Sequence, residues 1–172
     1  MMDTNSTGRP IVVGVDGSPS SILALQRAQQ LATALSTTVD AIHVWQYQPY
    51  MDTGYVVEVE PAKNAGKVLA EATAAAFGTD LPAGLKQVAR QGSAAKVLRD
   101  ASQNAEILVV GSRGHGGFVG LLLGSISSQC AEHAHCPVLV VHSRDHLQPG
   151  HHRGDSIASS LSTTWAGPKN SR

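Results

Sequence analysis

The amino-acid sequence predicts an α/β domain in which an open, parallel, five-stranded sheet carries helices on both faces. Five short runs rich in valine, isoleucine and leucine alternate with four longer, alanine-rich stretches of helical character. The first of these runs, PIVVGVD, is continuously apolar instead of alternating, which is typical of a parallel strand that is covered on both sides. Strands that alternate with helices predict a parallel sheet built from strand–helix–strand units.

The first unit joins an apolar strand to a well-marked helix start. PIVVGVD (10–16) is the first predicted strand. Ser18 is a suitable N-cap, and Pro19 suits the first helical position because it has no N–H to leave unbonded. The helix continues through SILALQRAQQLATAL, where apolar positions recur at helical spacing. TVDAIHVW (38–45) is the second strand, and residues 46–60 are predicted to form a connecting loop because they have no clear period.

The rest of the chain repeats this alternation up to residue 142. The predicted elements are a helix over 61–77 closed by Gly78, a strand over 85–91, a helix (AAKVLRDASQN) capped by Gly92 and Ser93, a strand over 106–111, a helix (SISSQCAEHAH) from Ser125, and a strand over 137–142. Residues 1–9 are expected to form a flexible N-terminus, and 10–142 a single folded domain. Residues 143–172 are rich in Ser, Gly, Pro and His, so we expect a flexible tail.

Composition argues against several classes of function. Thirteen basic and thirteen acidic residues cancel, which removes the electrostatic case for a nucleic-acid or membrane-surface partner. No apolar run approaches the ~18 residues of a membrane-spanning helix, and the polar N-terminus has no secretion signal. Two cysteines are too few for a disulfide framework. We therefore expect a cytoplasmic protein.

The segment GSRGHGGFVGLLLGS (111–125) is the strongest candidate for a ligand site. Gly111 ends the fourth strand, and Gly124 and Ser125 begin the next helix, so backbone amides and a helix N-terminus meet in one anion site. Glycines at 111 and 114 would let the backbone approach a ligand closely. The segment lacks the Gly-Lys-Ser/Thr of a P-loop and the spacing of a dinucleotide fingerprint. The alternative is that these glycines only shape a mobile surface loop.

The spacing of this segment resembles a known signature. Two residues separate Gly111 from Gly114, and nine separate Gly114 from Gly124-Ser125. This G-2x-G-9x-G-[S/T] pattern is similar to the ATP-binding signature of the universal stress protein family. IVVGVDGSPSS, IHVW and CPVLVVH extend the resemblance over most of residues 10–142. It implies the strand order 3-2-1-4-5, a homodimer, and ATP bound at the carboxyl edge of the sheet.

The resemblance also implies a set of cofactor-binding residues. Asp16 would lie near the ribose or the phosphate–metal region and would be the one candidate ligand for Mg²⁺; the alternative is a turn residue that caps the next helix. The family pattern places the main chain around Val13 and Gly14, and that of Val44, beside the adenine. It places Val110, Gly111, Arg113 and Gly114 along the ribose and phosphates, and Gly124, Ser125 and Ile126 around the phosphate tail. Arg113 has the alternative of a solvated loop side chain.

We interpret the chain as an ATP-binding regulatory protein of a stress or dormancy response that acts through an unidentified protein partner. The alternatives are a slow ATPase or other nucleotide-dependent enzyme of the same fold superfamily, and a module that binds no nucleotide. The intact signature argues against the last. No residue is assigned a catalytic role, because no nucleophile turn is present. The apolar fifth strand, at the sheet edge in the family's order, predicts an antiparallel homodimer through 137–142.

A short cluster of cysteines and histidines is either a zinc site or a purely structural part of the domain. Cys130, His133, His135 and Cys136 lie within seven residues of one another. A structural zinc site needs four ligands in a tetrahedron, and a helix that turns into a strand brings two of these together at best. A buried cysteine followed by a solvated helix end is the favoured interpretation.

Overall fold

The computed structural model describes residues 8–46, 61–114 and 122–143, and in these ranges five strands alternate with four helices. The elements are β1 (Ile11–Gly14), α1 (Pro19–Ala34), β2 (Val39–Trp45), α2 (Pro61–Phe77), β3 (Leu85–Gln91), α3 (Ala94–Ser102), β4 (Ile107–Gly111), α4 (Ser125–His133) and β5 (Val138–Val141). Every predicted helix and strand within the described ranges is present.

All strand pairs are parallel, and the strand order is β3-β2-β1-β4-β5, which confirms the predicted topology. In the register of the sheet, Val13 of β1 lies between Ala41 of β2 and Val109 of β4. The chain leaves β1 toward β2 on one side, and leaves β4 toward β5 on the other. The connections therefore diverge between the carboxyl ends of β1 and β4, where open α/β sheets bind ligands.

Side chains of the central strand feed two separate cores, one on each face of the sheet. Ile11 and Val13 pack with α1 and α2, whereas Val12 packs on the opposite face with α3 and α4. Leu25 of α1 and Leu98 of α3 are buried on their respective faces. Because β1 is covered on both sides, its sequence is continuously apolar, as the sequence pattern indicated.

The start of α1 has the predicted cap. The Ser18 side chain accepts a hydrogen bond from the Ser21 N–H at 3.3 Å, and Pro19 occupies the first helical position. Gly78 follows α2 with φ +76°, the left-handed conformation that favours glycine at a helix end. Ser93 occupies the N-cap of α3, but its side chain makes no capping hydrogen bond, so that part of the prediction is wrong.

Element ends differ from the prediction by one or two residues. The strands other than β3, which has the predicted bounds, are shorter because pairing covers only part of each predicted run: β1 has four residues instead of the seven of 10–16. Helix α3 ends at Ser102, since the N–H of Asn104 bonds back only three residues, to the carbonyl of Ala101. The predictions for 47–60, 1–7 and 144–172 lie outside the described residues. None of the helices described is long and apolar enough to cross a membrane.

Candidate functional site

A cleft opens at the carboxyl ends of β1 and β4, where the connections diverge. It has an empty volume of about 570 Å³, part of it open to solvent. Elements from both halves of the sheet contribute to its walls, together with the first turns of α1, α3 and α4. The lining residues are Gly14, Val15, Asp16, Ser21, Ile42, Val44, Ala94, Leu98, Val110, Gly111, Arg113, Gly114, Ile126 and Ser127.

The cleft has an apolar side and a polar side. Ile42 and Val44 of β2, Leu98 of α3 and Val110 of β4 belong to the same hydrophobic cluster on one face of the sheet. The Asp16 carboxylate, the Arg113 guanidinium and the backbone after β4 supply the polar groups. An apolar compartment next to a few converging polar groups is the usual design of a small-molecule site.

Most of the residues that the sequence nominated for the site line this one cleft. They are Gly14, Asp16, Val44, Val110, Gly111, Arg113, Gly114 and Ile126. Val13, Gly124 and Ser125 do not line it. Val13 is fully buried in the core under α1 and α2, Gly124 is the N-cap of α4, and Ser125 is exposed at the first helical position. Residues 115–121 of the glycine-rich segment lie outside the described part of the chain.

Asp16 forms the turn that the sequence offered as one alternative and also lines the cleft, while its contact with a ligand stays a prediction. Its Oδ1 accepts hydrogen bonds from the Ser18 N–H at 3.0 Å and from the Ser18 hydroxyl at 2.6 Å, which is the turn-forming role. The same carboxylate lines the cleft, and its Oδ2 lies against Gly114. The turn therefore holds the carboxylate in place at the edge of the cleft.

Three polar side chains at this edge were not predicted from the sequence. The Ser20 hydroxyl bonds the carbonyl of Arg113, and the Ser127 hydroxyl bonds the carbonyl of Gly111 at 2.7 Å. His43 of β2 bonds the carbonyl of Val15 through Nδ1 at 2.7 Å; a carbonyl only accepts, so Nδ1 carries the proton. The serine-rich stretch GSPSS was the available signal, but we interpreted it only as a helix start.

Two of the glycines are required by the packing of the protein itself. A Cβ on Gly111 would lie 2.5 Å from Ser20 Oγ and 2.9 Å from the Ser20 carbonyl carbon. A Cβ on Gly114 would collide with Asp16 Oδ2. We expected these glycines to admit a ligand, and that role stays a prediction. The structure adds a nearer reason, which is the close approach of the start of α1 to the end of β4.

The two cysteines behave as structural residues. Cys130 is buried, and burial raises the pKa of its thiol to about 11. Burial also raises the pKa of the half-buried Cys136. Burial therefore favours the protonated thiol at both positions. Within the described ranges, no three His, Cys, Asp or Glu side chains converge to hold a metal ion.

Comparison with known protein families gives one match. The model of the universal stress protein family matches residues 8–142. A universal stress protein of Mycolicibacterium smegmatis is 36% identical over 141 residues, which cover 78% of this chain and 46% of that protein. Universal stress protein Rv2623 of Mycobacterium tuberculosis is 30% identical over 86% of this chain and 52% of its own length. The chain thus spans about half the length of these curated relatives.

Solved structures give the same result for the fold. A universal stress protein in complex with cAMP superposes with a TM-score of 0.58 at 26% identity and covers 79% of this chain and 98% of its own. A universal stress protein of Lactobacillus plantarum gives a TM-score of 0.62 at 21% identity. The superposition covers 78% of this chain and 99% of that one. A universal stress protein of Archaeoglobus fulgidus, solved with dAMP, gives a TM-score of 0.56 at 20% identity. The superposition covers 77% of this chain and 96% of that one.

We expect Gly111→Ala to destabilise the fold by about 1–3 kcal/mol, because the added methyl group overpacks the contact with Ser20. Gly66→Ala is the matched control: Gly66 lies in α2 with no atom within 4 Å of a Cβ, and alanine favours helix. Urea unfolding of both variants measures the difference. A Gly111→Ala variant as stable as the unsubstituted protein would show that β4 and α1 are not in close contact.

Proposed function

The chain belongs to the universal stress protein family, and we propose that it binds ATP in the cleft between β1 and β4 and regulates a protein partner in a stress response. The observation that carries this proposal is the shape of the cleft. An apolar compartment and a set of backbone amides open into one space of about 570 Å³. Concave sites that combine an apolar wall with a few converging polar groups are those that bind small molecules and cofactors.

The apolar side of the cleft suits a purine base. Ile42, Val44, Leu98 and Val110 form its wall, and Ala94 at the start of α3 leaves room for a planar ring. Burial of an aromatic ring against aliphatic side chains stabilises a complex through the hydrophobic effect. We place the adenine here, on the same face of the sheet as α3.

The polar side suits a chain of phosphates. Gly111 to Gly114 run along it, and α4 begins at Ser125 after its N-cap, Gly124. Backbone N–H groups and a helix N-terminus favour anions because their partial positive charges converge there. Among the described residues that line the cleft, Arg113 is the only cation, and it adds a full charge. Ser125 and Gly124 would then contact the outer phosphates.

Two solved relatives favour an adenine nucleotide as the ligand class. One universal stress protein of this fold was solved with cAMP and another with dAMP. The cAMP complex is 26% identical to this chain. The signature G-2x-G-9x-G-[S/T], present here in full, is what points to ATP within that class.

Magnesium would enter with the triphosphate. Mg²⁺ in nucleotide sites is held by one or two carboxylates together with substrate phosphates, and not by a cage of protein ligands. Asp16, the only carboxylate in the lining, fits that pattern. The bound ion would neutralise phosphate charge, while Asp16 would orient it from the end of β1.

We also propose a homodimer and a cytoplasmic setting. β5 is an edge strand, paired with β4 alone, and Leu139 on it is 38% exposed. An apolar edge of this kind can pair with a second copy in antiparallel fashion. Both cysteines are free thiols, which fits a reducing compartment.

Ala94→Phe should weaken ATP binding about tenfold or more, a loss of ~1.4 kcal/mol, because the benzyl group fills the adenine compartment. Ala75→Phe is the control: Ala75 is exposed on α2, which packs on the other face of the sheet. Isothermal titration calorimetry gives both affinities. Equal ATP affinity in the two variants would contradict the placement of the base.

We expect ATP to be retained rather than turned over, with hydrolysis far below the ~1–100 s⁻¹ of kinases. Fast phosphoryl transfer needs an aligned nucleophile and a positioned base, but the Asp16 carboxylate is already bonded to Ser18. Amides and Arg113 bind the ground state about as well as the transition state, which does not raise turnover. Steady-state hydrolysis in the kinase range, lost in Asp16→Ala, would favour the enzyme alternative.

The purified protein should sediment as a dimer at micromolar concentration, and Leu139→Asp should dissociate it by placing two carboxylates at the paired edge. Leu81→Asp is the matched control, because Leu81 is 49% exposed in the turn before β3, the opposite edge of the sheet. A monomer in the unsubstituted protein, or dissociation by both substitutions equally, would overturn pairing through 137–142.

A further inference from the structure

Three successive backbone carbonyls at the end of β4 accept hydrogen bonds from the start of α4 or the start of α1. The Gly111 carbonyl accepts from the Ser127 hydroxyl of α4 at 2.7 Å. The Ser112 carbonyl accepts from the Gly124 N–H at 2.7 Å. The Arg113 carbonyl accepts from the Ser20 hydroxyl of α1. The backbone of residues 111–113 is therefore held by hydrogen bonds from α4 and from α1 at the point where the chain leaves the sheet.

A serine hydroxyl carries one proton and donates one hydrogen bond, so the distances show which acceptor each serine bonds. Ser18 also lies near the Arg113 carbonyl, at 3.3 Å, but its single proton has a closer acceptor in Asp16 Oδ1 at 2.6 Å. Ser20 is thus the donor to Arg113. The Ser127 hydroxyl is nearer to the Gly111 carbonyl, at 2.7 Å, than to that of Ser112, at 3.2 Å.

Holding the carbonyls also fixes the direction of the amides. In a planar trans peptide, the C=O and the N–H point to opposite sides of the chain. When the carbonyls of Ser112 and Arg113 are drawn toward α4 and α1, the N–H groups of Arg113 and Gly114 point away from them. Within the described residues neither of these N–H groups donates a hydrogen bond, and both residues line the cleft.

We propose that Ser20 is a positioning residue for the phosphates: by holding the Arg113 carbonyl, it aims the Gly114 amide at the ligand. This inference rests on the proposed function, because it assumes that phosphates occupy that side of the cleft. Ser20 is only 4% exposed, so water does not compete for its hydroxyl. Amides that already point at the ligand bind an anion without a further loss of conformational entropy.

The test compares ATP with adenosine, which has the base and ribose but no phosphate. Ser20→Ala should weaken ATP binding about tenfold and leave adenosine binding unchanged. A merely structural role would weaken both ligands together or neither. Ser102→Ala is the matched control: Ser102 is 1% exposed and donates to the Arg99 carbonyl at 2.5 Å, at the end of α3. It should leave the binding of both ligands unchanged.

A second readout does not need a nucleotide. In the ligand-free protein, the backbone amide resonances of Arg113 and Gly114 should shift or broaden in Ser20→Ala and stay in place in Ser102→Ala. Unchanged resonances, or equal losses of ATP and adenosine affinity, would overturn the positioning role. If the unsubstituted protein binds neither ligand while the resonances still move, the proposed function is wrong. The inference that Ser20 fixes the direction of the Gly114 amide then still holds.

Discussion

The contact between the first turn of α1 and the end of β4 is the constraint on which the site depends. Gly111 leaves no room for a side chain because Ser20 lies directly against it. The two segments come from opposite halves of the chain, and they meet only because β1 and β4 are neighbours in the sheet. Once they meet, Asp16 and the backbone after β4 lie along the same cleft, and the Ser20 hydroxyl bonds that backbone at the Arg113 carbonyl.

The same contact explains which parts of the site the sequence could predict. Strand and helix positions follow from local patterns: the two-sided burial of β1, the cap at Ser18 and the glycine at 78 all have a signature within a few residues. Most of the nominated site residues came from a family signature in which spacing along the chain stands for position in space. The family pattern was therefore enough to nominate a set of residues most of which line one cleft.

Other features had no such local pattern. The bonds from Ser20 to the Arg113 carbonyl and from Ser127 to Gly111 join residues distant in sequence, and a serine looks the same whether it caps a helix or bonds a distant carbonyl. Gly111 was assigned to ligand access, because no pattern in the sequence shows that α1 lies behind it. Ser93 shows the reverse case, in which a good capping residue makes no capping bond.

The central claim is that an adenine nucleotide occupies the cleft at the β1–β4 edge. The most direct test is a titration of the isotope-labelled protein with ATP, followed through its backbone amide resonances. The account predicts that the largest changes fall on Gly14, Val44, Ala94 and Gly111 to Gly114, which surround the cleft. Changes centred instead on the groove at the far ends of α3 and α4, where Arg99, His133 and His135 lie, would contradict it.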